Sequence, residues 1–181
     1  MERYPIETLP FPVRPGDEVH FVVDADEGQK VLSYRTTAVG VNEKARLIVY
    51  FAEGDDYEVG IEDRCFLTAE DARRHIADAD AFDLSYGTID WGLWPQDMPF
   101  RPGAEVFTAD DDPYERHHVF ETTVYETYFT EDGEVMVWDD MSCESCVVGE
   151  SPDPCYLTYE EAHEWVYERL RERHLRKRQN R

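Results

Sequence analysis

Cys65-Phe66-Leu67-Thr68-Ala69-Glu70-Asp71-Ala72 and Cys155-Tyr156-Leu157-Thr158-Tyr159-Glu160-Glu161-Ala162 are two versions of one phrase, 90 residues apart. In each, a thiol and an aromatic residue lead to a threonine, with an acid three positions after it. That spacing is a capping box, in which the threonine closes the first turn of a helix and the acid closes back on the threonine. Three more matches precede it in the same order. Val13-Arg14-Pro15-Gly16-Asp17-Glu18-Val19 answers Phe100-Arg101-Pro102-Gly103-Ala104-Glu105-Val106. Thr36-Thr37 is set against Thr122-Thr123, and Leu47-Ile48-Val49-Tyr50 against Val135-Met136-Val137-Trp138. Self-similarity at a long, slowly drifting period marks a duplicated structural unit. Residues 13–79 and 100–170 are expected to superpose.

Within each unit the Pro-Gly turn launches a strand, Glu18–Val23 in one copy and Glu105–Thr108 in the other. Alternating apolar residues predict further strands at Val31–Val41 and Arg46–Phe51, matched by Val119–Phe129 and Glu134–Trp138. A fourth strand is expected at Tyr57–Ile61, with a less regular counterpart at Met141–Val148. The helices carry apolar faces of Ala72, His75, Ile76 and Ala79, and of Ala162, Trp165, Val166 and Leu170. The expected fold is mainly β (α+β): two tandem small barrels, each closed by a short C-terminal helix. Residues 1–80 form the first repeat, 81–97 an aromatic connector, and 98–181 the second repeat with a basic tail.

The composition is that of a folded protein with a heavy negative charge. Hydrophobic residues make up 41% and aromatic residues 13%, enough to fill a core, while 41 acids face 18 bases for a net charge of −23. The charge is unevenly spread. Residues 169–181 hold seven bases and one acid, so residues 1–168 keep 40 acids against 11 bases, a net of −29. Such a body repels phosphate backbones and acidic membrane surfaces and is drawn to basic grooves. No apolar run is long enough to cross a membrane and no signal core leads the chain, which points to a cytoplasmic protein. The basic tail is read either as a nucleic-acid or peptide-binding arm or as a continuation of the last helix, where cations are favourable.

The pattern Pro-Gly-x-Glu-Val, strands, then Phe-Leu-Thr-x-Glu in one copy and Tyr-Leu-Thr-x-Glu in the other resembles the small SH3-like or Tudor-like modules of bacterial mobile elements, over about 75 residues in each copy. In composition the chain is similar to acidic anti-CRISPR inhibitors and other DNA mimics. That likeness implies a phage or mobile-element inhibitor whose partner is a basic nucleic-acid-handling protein, such as a CRISPR effector nuclease with its guide RNA.

Candidate contacts with a partner are the acids Asp110, Asp111, Asp112, Asp139 and Asp140, and the connector residues Trp91 and Trp94. The tryptophans have a competing reading, in which they pack between the two repeats. Cys143-Glu144-Ser145-Cys146 is a C-x-x-C pair that Cys155 and His117 or His118 could complete as a zinc site. The same cysteines also fit a redox pair or reduced structural thiols, and Cys65 matching Cys155 favours packing. No H-E-x-x-H, G-x-S-x-G, calcium-loop or phosphate-loop pattern is present. The expectation is a non-enzymatic binding protein without a cofactor, with no direct DNA binding by the acidic body and no membrane association. The alternatives are a peptide- or protein-interaction module whose acidity serves solubility, and a small structural-zinc protein.

Overall fold

The structure is a computed structural model that describes residues 8–9, 11–52, 54–94, 98, 100–110, 112, 118–139, 145–147 and 155–179. The first half contributes β1 (Glu18–Ala25), β2 (Gly28–Arg35), β3 (Ala38–Asn42), β4 (Leu47–Tyr50), β5 (Asp56–Glu58), β6 (Cys65–Phe66) and α1 (Ala69–Ala77). The second contributes β7 (Glu105–Ala109), β8 (Val119–Thr130), β9 (Val135–Asp139), β10 (Ser145–Val147), β11 (Cys155–Tyr156) and α2 (Tyr159–Gln179). All described pairings are antiparallel. One sheet runs β2-β1-β6. The other runs β10-β9-β8-β3-β4-β5, with β7 paired to β8 and β11 paired to β7. The fold is mainly β with two helices, an α+β arrangement, and the described pairings close neither sheet into a barrel.

Pairing repeats between the halves. β1 lies between β2 and β6 as β7 lies between the start of β8 and β11; β4 lies between β3 and β5 as β9 lies between the end of β8 and β10. The turns repeat too. Gly16 donates its N–H to Thr36 O, as Gly103 does to Val124 O, and Asp17 N–H reaches Arg14 O as Ala104 N–H reaches Arg101 O. These bonds correct one block of the sequence alignment. Thr36 corresponds to Val124, and Thr122 corresponds to Tyr34, because Tyr34 pairs with Val19 as Thr122 pairs with Val106. A slip of two residues keeps every side chain on its own face, so apolar alternation is blind to it.

The strand expected at Val31–Val41 is two strands. The break falls at Thr36-Thr37, where the buried Thr36 hydroxyl donates to Arg14 O and Asp17 O and ties the bend to the opening turn. The second half makes the same bend inside one strand, with a register shift between Val124 and Glu126. The strand expected at Tyr57–Ile61 is β5, which ends at Glu58; of Met141–Val148 only 145–147 lie within the described residues, and they form β10. The two-residue strands β6 and β11 fall on the cysteine-aromatic pairs.

Both helices start as the capping boxes require. Asp71 N–H donates to Thr68 Oγ1 at 3.0 Å, Glu161 N–H to Thr158 Oγ1 at 3.2 Å, and each threonine hydroxyl donates back to its acid. Ala72 packs on Val22 and Phe66, and Ala162 with Val166 packs on Ala109, so each helix covers the outer face of its own half. α2 continues to Gln179, and the basic stretch is therefore helical through that residue, with Arg176 reaching Glu172 at 3.5 Å.

The halves meet along β3 and β8, where Gly40 pairs with Tyr128. Gly40 also pairs with Ile48 and Tyr128 with Met136, which are matching positions of the repeat, so Gly40 and Tyr128 are each other's counterparts. A local two-fold axis passes between them. A Cβ on Gly40 would stand 2.5 Å from Tyr128 Cβ and 2.9 Å from Thr127 O, so only glycine allows the strands this approach. One apolar core runs beneath the seam, joining Val19, Val39 and Val49 to Val106, Phe129 and Val137, with Phe11, Trp94 and Phe100 alongside. Burying a side chain such as Phe129 is worth roughly 1.5–3 kcal/mol.

Candidate functional site

A cavity of about 580 Å³ opens between the β1–β2 hairpin and the β4–β5 edge of the larger sheet, lined by Phe21, Tyr34, Phe51 and Tyr57 together with Arg35, Asp55 and Asp63. Phe21 leaves β1 on the same face as Val19, and Tyr34 sits one diagonal step away on β2. Phe51 follows the last residue of β4, and Tyr57 lies on β5 opposite Val49. Phe21 is the hub, with ring centroids 5.7 Å from Tyr34, 5.8 Å from Phe51 and 5.0 Å from Tyr57. Tyr34 and Tyr57 each stand 6.0 Å from Phe51. All five contacts are edge-to-face, at interplanar angles of 60–78°. Phe21 is 8% exposed, whereas Tyr34 and Tyr57 remain 48% and 38% exposed. The four rings thus form a cup with a buried floor and wet walls.

The duplication supplies an internal control for this cup. Carried through the strand register, the positions of Phe21, Tyr34, Phe51 and Tyr57 become Thr108, Thr122, Asp139 and Cys146. None is aromatic, yet the second half pairs its strands in the same order. The strand order does not depend on the four rings. Sequence reading missed the cup because its residues come from three strands and a turn, with no local spacing to join them. A residue-by-residue comparison of the halves in the corrected register would have found it.

The electrostatics near the cup come from both halves. Arg35 donates to Glu131 at 2.5 Å, bridging the first half to the second. Asp63 accepts the Glu58 N–H at 2.8 Å, while Asp55 and Asp63 are exposed. Along the seam, the buried Glu126 accepts a hydrogen bond from Tyr50 OH. Burial first, then the nearby Asp56 and Glu58, push the Glu126 carboxyl up to about 7, against the opposing pull of the Tyr50 hydrogen bond. Asn42, which pairs with Glu126 across the seam, donates to Glu58 at 2.9 Å. Glu58 is also held by Arg46 Nε at 3.2 Å. Arg46 Nη1 and Nη2 donate to Leu84 O, Tyr86 O and Val59 O, which fastens the connector to the first half.

The residues singled out from sequence are scattered. Asp110 and Asp112 are exposed in the segment after β7, where Asp110 accepts the Asp112 N–H and its carbonyl oxygen is 3.0 Å from His118 Nδ1. Asp139 ends β9; its side chain lies outside the described residues, as do Asp111 and Asp140. Trp94 is 6% exposed, donates Nε1–H to Met98 O, and packs near Phe11 and Phe129. It offers a partner no open ring. Trp91 is half-buried, 5.7 Å from Trp94 and capped by the Arg101 guanidinium at 4.2 Å. Both tryptophans are packed against neighbouring side chains, while Leu93 between them is exposed.

Of the metal candidates, His117 and Cys143 lie outside the described residues, as does the side chain of Cys146, whose backbone pairs with Val137 in β10. Cys155 is buried in the same apolar core as Val106, and its counterpart Cys65 is buried too, with its thiol pushed up to about 12 chiefly by burial. Thiols so placed fit packing. Among the described residues no helix is long and apolar enough to cross a membrane. No family profile, curated protein or solved structure matches the chain.

Proposed function

We propose that the chain is a non-enzymatic acidic binding protein that occupies a basic, nucleic-acid-binding surface of a partner, in the manner of an inhibitor acting on a CRISPR effector nuclease. The observation that carries this reading is the charge excess on a continuous scaffold. With 41 acids against 18 bases, 23 acids remain even if every base is paired. The seam between β3 and β8 joins both halves in one sheet, so acids from both are held at fixed separations. Carboxylates so held can meet the lysines and arginines that otherwise grip phosphates, and their field speeds association by about 10- to 1,000-fold at low salt. The finer architecture belongs to the same proposal. Each half is an SH3-like small barrel; its strand order, with the first strand flanked by the second and the last, supports that assignment.

Competition tests this reading. Affinity capture from bacterial lysate, with and without nuclease treatment, supplies the target, and a DNA duplex is then titrated against the complex. Mutual exclusion of duplex and chain is the expected result, together with a steep loss of affinity on adding salt. A ternary complex of target, duplex and chain would refute it. A second reading, a module that binds peptides through a side-chain pocket, is favoured by one observation: the aromatic cup of the first half.

A further inference from the structure

We infer that the cup of Phe21, Tyr34, Phe51 and Tyr57 is a guanidinium site that takes an arginine side chain of the partner. The inference rests on the reading that the partner is basic, and it names the residue that anchors it. Five contacts of 5.0–6.0 Å among the four rings leave two tyrosines open to solvent around a buried phenylalanine floor. Ring faces carry negative electrostatic potential, so a cation seated among them is attracted, and more strongly where water is excluded. The cavity, about 580 Å³, is in the range of sites that hold small groups.

Two features select a guanidinium among cations. Asp55 and Asp63 in the lining offer carboxylate acceptors, which a group with five N–H donors uses and a quaternary ammonium does not. A guanidinium is also planar and weakly hydrated, so it stacks on rings at low desolvation cost. Among the described residues this chemistry occurs three times, with Arg74 over Phe82, Arg101 over Trp91 and Arg169 over Trp165, and in each case the ring lies outside the cup. Among the described lining residues the one cation is Arg35, and its charge is answered by Glu131 at 2.5 Å. The second half, with Thr108, Thr122, Asp139 and Cys146 at the matching positions, shows that the strand order does not demand these rings. Four aromatic residues converging on one cup in one half only are accounted for by a ligand.

The test needs no partner. N-acetyl-arginine N-methylamide is titrated into the full-length chain and followed by NMR of the aromatic side chains. Its neutral citrulline analogue, its lysine analogue and its trimethyl-lysine analogue serve as comparators. Saturable millimolar binding is expected, with shifts centred on Tyr34 and Tyr57. Citrulline should bind at least about tenfold more weakly, and Tyr57→Ala should weaken arginine by about tenfold while leaving the amide spectrum of the second half in place. Asp55→Asn should weaken arginine more than trimethyl-lysine. Absence of saturable arginine binding, equal binding of citrulline, or tighter binding of trimethyl-lysine than of arginine overturns the inference. If Tyr57→Ala does not fold, Tyr34→Ala and the ligand series on the native chain decide the question. Failure here leaves the competition with DNA untouched, and a ternary complex there leaves this titration untouched, so the two ideas fail separately.

Discussion

Replacing Glu126 by Gln should make the protein more stable, by an amount that grows with pH. Glu126 is 4% exposed and its carboxyl is pushed from 4.5 to about 7, first by burial and then by Asp56 and Glu58. A folded-state value above the unfolded one means that folding disfavours the ionised form. Stability attributable to this group is therefore whole below pH 4.5, is lost as pH rises toward 7, and stays low above that. The displacement of about 2.5 units corresponds to roughly 3 kcal/mol once the carboxyl is ionised in both states. Glutamine keeps the carbonyl that accepts from Tyr50 OH and removes the titration. Urea unfolding of both proteins from pH 5.5 to 8.5 reads the difference, above the sequence isoelectric point near 4.4. The gap in favour of the variant should widen from about 1 to about 3 kcal/mol across that range. A gap that stays constant, or that narrows as pH rises, would show that the carboxyl is not suppressed at the seam.

Gly40→Ala should cost at least about 2 kcal/mol in the same unfolding assay, since the new methyl meets Tyr128 Cβ and the Thr127 carbonyl within 3 Å; a loss below 0.5 kcal/mol would mean the strands part easily. Arg46→Met should cost about 3 kcal/mol, because it strips the donors from Leu84 O, Tyr86 O and Val59 O and leaves Glu58 without its cation. Amides 84–89 should lose protection in hydrogen exchange, and unchanged protection would refute that role.

What could be read from the chain was whatever the repeat states locally. The capping boxes at Thr68 and Thr158 carry their own geometry in a four-residue spacing, and both helices begin there. Strands with apolar alternation were legible for the same reason. The bend at Thr36 was not, because it depends on hydroxyl bonds to carbonyls about 20 residues earlier. β6 and β11 escaped notice because two residues show no period, and they exist through pairing to His20-Phe21 and Phe107-Thr108. The seam was also invisible, since it joins β3 to a strand about 88 residues away, although Gly40 hints at a close approach. Of the site, the sequence showed acidic clusters but not the cup, whose members converge only once β1, β2 and β5 are in place.

The seam has an evolutionary corollary. Two separate molecules of a one-copy ancestor, joined edge to edge along this strand, would form a symmetric dimer with the contact now made by Gly40 and Tyr128. In such a dimer every mutation appears twice, and a residue at the axis must tolerate its own image. Two tyrosines facing each other, or two glycines, would be the only choices between these types. Fusing the genes lifts that rule. One subunit's legacy could then become a glycine and the other's a tyrosine at the axis, and aromatic residues could gather in one half while the other turned to threonine, aspartate and cysteine. Covalent linkage would thus let such a symmetric dimer become an asymmetric molecule while keeping its junction.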